Sequence, residues 1–244
     1  MLKLDIIIPV YNEDENIIIL LKEIEKNINY NFRILICYDD DSDKTLVHLK
    51  SSEMFKDKLI LIKNPKQGPN SAIIEGINKS EAEIILIYMA DDFENIKLIN
   101  EMVRLIDAGN DLIIPSRFIS GGKMLGAKKI KKFVTITGSI LLYRLAQIPY
   151  RDCTNAFKMF SSKLKNKVTF KSTKGFTFAT ELTVKSFFLE SKIVEIPSVW
   201  KETRDRKSNF KMIRWLPYYV YWLFYSIFIH IVFKIKSFRK KNKK

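Results

Sequence analysis

Ile84-Ile85-Leu86-Ile87-Tyr88-Met89-Ala90-Asp91-Asp92 is an unbroken apolar run that stops in two carboxylates. A β-branched run of this length bounded by polar residues reads as a strand buried on both faces. In open α/β sheets, ligands bind in the crevice beyond the carboxyl ends of such strands, which is where Asp91 and Asp92 fall. Carboxylate oxygens suit Mg²⁺ or Mn²⁺, and such an ion in turn clamps a diphosphate. Taken alone, the segment is equally well read as a strand-to-helix turn with Asp92 as an N-cap.

Working outward from this strand, two further strand ends carry polar loops. Leu4-Asp5-Ile6-Ile7-Ile8-Pro9-Val10 reads as a strand followed by Tyr11-Asn12-Glu13-Asp14-Glu15-Asn16. Ile17, Leu20, Leu21, Ile24 and Ile28 then recur at helical spacing, and Asn12 with Glu15 has the spacing of a capping box. Arg33-Ile34-Leu35-Ile36-Cys37-Tyr38 is a third strand and opens into Asp39-Asp40-Asp41-Ser42-Asp43. Acidic loops at two strand ends would repel one another unless a cation or the polar end of a nucleotide uses them.

These residues resemble the family 2 glycosyltransferases of GT-A fold, in particular the polyprenol-phosphate, dolichol-phosphate mannose synthase-like branch. Pro9-Val10-Tyr11-Asn12-Glu13 resembles the family's P-x-Y-N-E opening, which implies that Pro9, Tyr11 and Glu13 line a nucleotide pocket. Asp39 falls on the second Asp of D-D-G-S, a contact to the base and ribose, and Gln67 to Ala72 with Gly76 resembles the Gly-rich start of a following helix. Met89-Ala90-Asp91 takes the place of the D-x-D metal motif, so the resemblance implies Asp91 as metal ligand, with Asp92 as a substitute and Ala90 beside the donor. Ser116-Arg117-Phe118 is similar to the S/T-R-aromatic segment at the acceptor, and Asp152 to Lys158 is similar to D-x-x-x-x-F-[KR]. Lys207-Ser208-Asn209-Phe210-Lys211 resembles a loop that closes over the donor phosphates, a role carried over to Arg204, Arg206 and Lys207 together. The sequence departs from the pattern at Tyr38, Met89, Thr203 and Asn209. Loss of the first Asp at Met89 bears directly on metal dependence and leaves a catalytically weakened, membrane-bound GT-A scaffold as one alternative.

The 244 residues, 47% of them hydrophobic, suffice for one substantial core. The expected fold is α/β, a mostly parallel central sheet flanked by helices with a Rossmann-like nucleotide-binding half. Residues 1–211 would form the catalytic domain and residues 212–244 a membrane-associated helix or helical hairpin with a Lys-rich tail. The net charge of +15 is lopsided: thirteen Lys or Arg against Glu202 and Asp205 give the segment from Lys201 onward +11 of it. That excess flanks Trp215, Tyr218, Tyr219, Tyr221, Trp222, Phe224, Tyr225, Phe228 and Phe233 rather than spreading over a groove, which argues for a membrane surface and against nucleic acid. Basic residues on both sides and interfacial aromatics favour lying in the headgroup region over spanning. The alternative is packing on the core or on a second subunit, which would make the chain a homo-oligomer. The chain opens directly on strand residues, so the catalytic part is expected at the cytoplasmic face of the membrane, peripheral or C-terminally anchored.

Elsewhere the pattern predicts a strand at Leu59 to Ile62, a helix face at Leu98, Met102, Leu105 and Ile106, a strand at Asp111 to Pro115, an apolar helix from Phe133 to Leu145, a helix from Thr177 to Leu189 and a late strand from Ile193 to Trp200. Lys131 or Lys132 with Arg117 is the candidate clamp for an acceptor phosphate, and Glu181 a candidate to orient the acceptor or a satisfied buried carboxylate. Cys37 and Cys153 form no C-x-x-C, His48 and His230 stand alone, and there is no Walker loop, which removes support for zinc, hydrolase and kinase chemistry. The expected activity is inverting transfer of a sugar from GDP-mannose or a UDP-hexose to a polyprenyl phosphate, with Asp91, Arg117 and Asp152 as catalytic residues. A glycolipid or polysaccharide hydroxyl is the alternative acceptor; it would need a base, for which Asp152 is the first candidate.

Overall fold

The computed structural model describes residues 2–50, 55, 57–127, 129–202 and 212–241. Its central sheet has seven strands in the order β3-β2-β1-β4-β7-β5-β8: β1 (Leu4–Pro9), β2 (Phe32–Tyr38), β3 (Leu59–Lys63), β4 (Ile84–Ile87), β5 (Leu112–Ser116), β7 (Lys158–Ser161) and β8 (Ile193–Pro197). All neighbours run parallel except β7, which is antiparallel to both β4 and β5. Two short strands, β6 (Lys123–Leu125) and β9 (Val199–Lys201), pair separately.

The apolar runs are continuous because both sheet faces are covered. Ile6, Ile8, Ile34 and Ile36 pack against α1 (Asn16–Asn27) and α4 (Leu98–Asp107). Ile7, Leu35 and Cys37 point the other way, against α3 (Pro69–Lys79) and α7 (Phe178–Phe188). The fit is tight at Gly76 in α3, where an added Cβ would stand 2.6 Å from Ile7 Cγ2 and 2.8 Å from Cys37 Sγ. Asp5, fully buried in β1, ties together the starting ends of the central strands by accepting from Arg33, Ser80 Oγ and the amides of Glu81 and Ala82.

The remaining helices are α2 (Lys44–Lys50), α5 (Lys129–Leu145), the short α6 (Ser162–Lys165) and α8 (Met212–Lys241). The C-terminal segment is one helix carrying Pro217, not a hairpin, and it packs on α5 and α7. Two further sequence expectations change. Asn12 does not cap α1: it adopts φ 52°, its Oδ1 accepts from Lys44 N and its amide donates to Asp43, so it ties the first loop to α2. The late strand splits, because β8 ends at Pro197 and Ser198 N turns to Ser116 O, which sends Val199 to the second sheet. The antiparallel strand β7 was read only as a motif, since its four residues are too few for period-two alternation to register.

Candidate active site

The sheet order reverses between β1 and β4, and the loops beyond those two strands open into a cleft of about 1170 Å³. Pro9, Tyr11, Glu13, Asp39, Ala90, Asp91, Asp92 and Arg117, which the sequence reading assigned to donor, metal and acceptor, all line it. Lys132 is exposed near the start of α5, does not line the cleft, and has no bond to Arg117. The side chain of Lys131, together with Arg204, Arg206 and Lys207, lies outside the described residues.

Each carboxylate at the cleft has a different environment. Asp39 accepts from Asn64 Nδ2 and Gly68 N, both at 2.7 Å, and so fixes the turn into α3, where Gly68 takes φ 105°. Asp92 is clamped: Asn95 donates to it from its amide at 3.2 Å and from Nδ2 at 2.9 and 2.8 Å, while Tyr88 Oη donates to its backbone oxygen. Burial pushes the Asp92 carboxyl up to about 6. Asn95 also exchanges two bonds with the Val199 backbone, so Asp92 and Asn95 together latch the loop after β4 onto β9. Asp91, next to it, is exposed and makes no hydrogen bond or ion pair to a described residue. Of the adjacent pair, Asp91 is the one whose carboxylate makes no bond to a described residue.

Arg117 and Asp152 are joined. The Arg117 amide, Nε and Nη2 donate to Asp152 at 2.9, 2.7 and 2.8 Å, and Nη2 also donates to Thr154 Oγ1. Asp152 is fully buried and does not line the cleft. Burial would raise its carboxyl, but the charge and hydrogen bonds of Arg117 outweigh this and hold it below the usual range. A carboxylate so engaged is a weak base, and its bonds hold the Arg117 guanidinium in place. Lys158 lies behind it, wholly buried, its ammonium pushed down to about 8 by desolvation and donating to Asp152 O. Glu181, also buried, accepts from Lys171 N and Ser172 N and pairs with Lys185, the satisfied alternative of its two readings.

Two contributors act in ways that their sequence signals do not disclose. Asn70, 1% exposed, donates to Ser172 O and accepts from Phe178 N, which holds the loop before α7 at the cleft wall. The other is α8 itself: Trp215, Tyr219 and Leu223 line the cleft opposite Val134, Gly138 and Leu142 of α5. An aromatic basic-flanked segment reads as an anchor, and its pairing with α5 is a tertiary fact invisible to composition.

Comparison with known proteins agrees with this architecture. The model of "Glycosyl transferase family 2" matches residues 5–169. A dolichol-phosphate mannosyltransferase of Pyrococcus furiosus is 27% identical over 80% of this chain and 56% of its own length. An undecaprenyl-phosphate 4-deoxy-4-formamido-L-arabinose transferase of Photorhabdus laumondii is 26% identical over 46% of this chain and 36% of its own. The chain thus spans about half or less of the curated relatives it matches. Among solved structures, glucosyl-3-phosphoglycerate synthase of Mycobacterium tuberculosis with UDP superposes at TM-score 0.70 with 11% identity, over 92% of this chain and 80% of that one. Its complex with Mn²⁺, UDP and glucosyl-3-phosphoglycerate gives TM-score 0.67 at 11% identity, over 93% and 79%. Those two likenesses fix the fold as GT-A. With the family model covering the sheet from β1 through β7 and the cleft at its switch point, the chain belongs to glycosyl transferase family 2.

Proposed function

We propose that this chain transfers a hexosyl unit, from GDP-mannose or a UDP-hexose, to the phosphate of a polyprenyl lipid at the cytoplasmic face of a membrane, with inversion at the anomeric carbon. The observation that carries this reading is the continuity of one cleft: its polar end holds Tyr11, Glu13, Asp39 and Asp91, and its other end is walled by the apolar residues of α5 and α8. A soluble sugar acceptor has no use for that apolar wall, whereas a prenyl chain does. The names of the relatives, lipid phosphates among their substrates, support the same choice.

Pro9, Tyr11, Glu13 and Asp39 would seat the nucleoside, and the Arg204, Arg206 and Lys207 segment would face the donor phosphates. A divalent cation, Mg²⁺ or Mn²⁺, fits the donor set. Asp91 is a disengaged hard ligand, and the described residues contain no cluster of three or more His, Cys, Asp or Glu that would hold an ion alone. Hard cations of this size are commonly held by one or two carboxylates plus substrate phosphate oxygens, and when bound here the ion would neutralise charge on the leaving diphosphate. Arg117, locked by Asp152 and Thr154, keeps Nη1 without a bond to a described residue and presents it to the acceptor phosphate. The acceptor oxygen is already anionic near neutral pH, so the new C–O bond forms as the bond to the diphosphate breaks, with no proton to remove.

The test presents detergent-purified protein with labelled UDP- and GDP-sugars and a short polyprenyl phosphate, with and without Mg²⁺ or Mn²⁺, and counts label extracted as lipid. Metal-dependent label from one donor is expected, and Asp91→Ala should remove it while Asp92→Asn retains a measurable part. Full activity in Asp91→Ala would sink the ligand assignment. Donor binding without lipid labelling would move the reading to a hydroxyl acceptor or to a scaffold weakened at Met89.

A further inference from the structure

Beside α8 lies a second cavity, of about 310 Å³, lined by Lys167, Thr169, Lys171, Lys185, Tyr225 and Ile229 among others. None of these residues lines the catalytic cleft. Lys185 is committed to Glu181 and Thr169 O and sits over the Trp222 ring at 5.5 Å. The Glu181 charge is consumed in turn by Lys185 and two backbone amides, so it does not neutralise the rest of the cavity. Lys167 and Lys171 are exposed, and their ammonium groups make no bond to any described residue. Two free cations therefore face a concavity whose other wall is an aromatic and an aliphatic side chain of α8.

At 3.6 residues per turn, Val220, Phe224, Phe228 and Ile231 project from α8 away from the protein, while Trp222 and Ser226 project into it. Tyr225 falls on the boundary between those faces, and Ile229, two turns on from Trp222, lies just inside it. If the outer face lies in acyl chains, that boundary is at headgroup depth, where basic cavities beside apolar helices take lipid phosphates.

We propose that Lys167 and Lys171, with Tyr225 and Ile229, bind the phosphodiester headgroup of an anionic membrane phospholipid, at a site separate from the catalytic cleft. The proposal rests on the membrane reading above and goes beyond it, since it locates a lipid that is not a substrate.

Co-sedimentation of the full chain with vesicles of phosphatidylcholine alone, and of phosphatidylcholine mixed with phosphatidylglycerol, tests it. Lys167→Glu/Lys171→Glu should weaken binding to the mixed vesicles at least about tenfold and leave binding to phosphatidylcholine unchanged. The control Lys22→Glu/Lys26→Glu alters charge equally on exposed positions of α1 and should change binding far less. Equal loss in the two double variants reduces the site to diffuse charge and overturns the proposal, as does displacement of the wild type from mixed vesicles by millimolar inorganic phosphate, which would make the occupant a soluble anion. If the wild type binds phosphatidylcholine but gains nothing from phosphatidylglycerol, this site falls and the membrane reading stands; if it binds neither, both fall. Should the Glu pair unfold the protein, Lys167→Gln/Lys171→Gln carries the same comparison with a smaller factor.

Discussion

In the proposed reaction, Arg117 can serve the acceptor phosphate because Asp152 holds it. A free arginine at a cleft wall samples many rotamers, whereas here three donors of one residue meet one carboxylate with almost no water near either group. Bidentate geometry fixes the guanidinium plane as well as its position. Removing one partner of a buried pair leaves the other charge uncompensated, at about 3–5 kcal/mol. Asp152→Ala should therefore unfold at markedly lower temperature and raise KM for the acceptor, with Asp152→Asn between it and wild type. If Asp152→Asn instead abolished kcat with stability and acceptor KM intact, Asp152 would be a base after all. Lys158 offers a pH reading of the same cluster. Its ammonium titrates at about 8 in the folded chain against an ordinary lysine value of 10.5 when unfolded, so the unfolded state binds more protons between those limits and stability must rise with pH there. The stability of the wild type relative to Lys158→Met should accordingly grow as pH goes from about 8 towards 10, by on the order of 2 kcal/mol. A flat difference in denaturant melts across that range would remove the buried cation.

Among the elements, the contact that decides how α8 meets the catalytic domain is made by a glycine. Gly175 takes φ 62° and lies so close to Trp215 that an added Cβ would stand 2.9 Å from the indole, while Phe176 meets the same ring edge-on with centroids 6.0 Å apart. Gly175→Ala should cost about 1–3 kcal/mol through overpacking and backbone strain, and shift tryptophan emission to the red as Trp215 is displaced. Gly109, at φ 94° with nothing within 4 Å, supplies the control, because Gly109→Ala suffers the backbone strain alone. Identical emission in the two variants would mean that Trp215 is not seated there. The same scale explains what the sequence could disclose. The βα order of β1, α1, β2 and β4 was legible because each is a long apolar run with one period, and the acidic loops beyond β2 and β4 were legible because polar residues interrupt those runs abruptly. The split of β8 from β9, the reassignment of Asn12 and the latch from Asp92 through Asn95 to Val199 were not. Each depends on a partner more than 30 positions away, which no local pattern encodes. Asp152 stands out by its motif, but only the fold discloses that its partner is Arg117.

For the molecule as a whole, the membrane reading proposed above poses the question whether α8 crosses a bilayer or lies along it. Arg214–Ile235 is 22 residues with mean hydropathy 1.5, long enough for either. The packing distinguishes them. Trp215 rests on Gly175 and Phe176, Trp222 is buried beneath Lys185, and His230 and Phe233 meet Phe188 with centroids 6.5 and 6.0 Å apart, so the catalytic domain touches α8 along nearly its whole apolar length. A transmembrane placement would draw α7 and the exposed lysines beside it into hydrocarbon, at several kcal/mol per charge. An in-plane placement needs no such burial. It immerses only the outer stripe, in which Phe224 is 65% and Phe228 62% exposed, and it keeps the cleft between α5 and α8 open to a lipid acceptor. Two phenylalanine side chains at about 1.5–3 kcal/mol each set the expected effect: Phe224→Glu/Phe228→Glu should weaken vesicle binding at least about a hundredfold. Because both rings face outward, the variant should melt as the wild type does and bind donor nucleotide unchanged, while transfer to vesicle-borne polyprenyl phosphate falls in step with membrane binding. Retention of the variant on membranes until detergent is added would contradict the in-plane arrangement and return α8 to the role of a span.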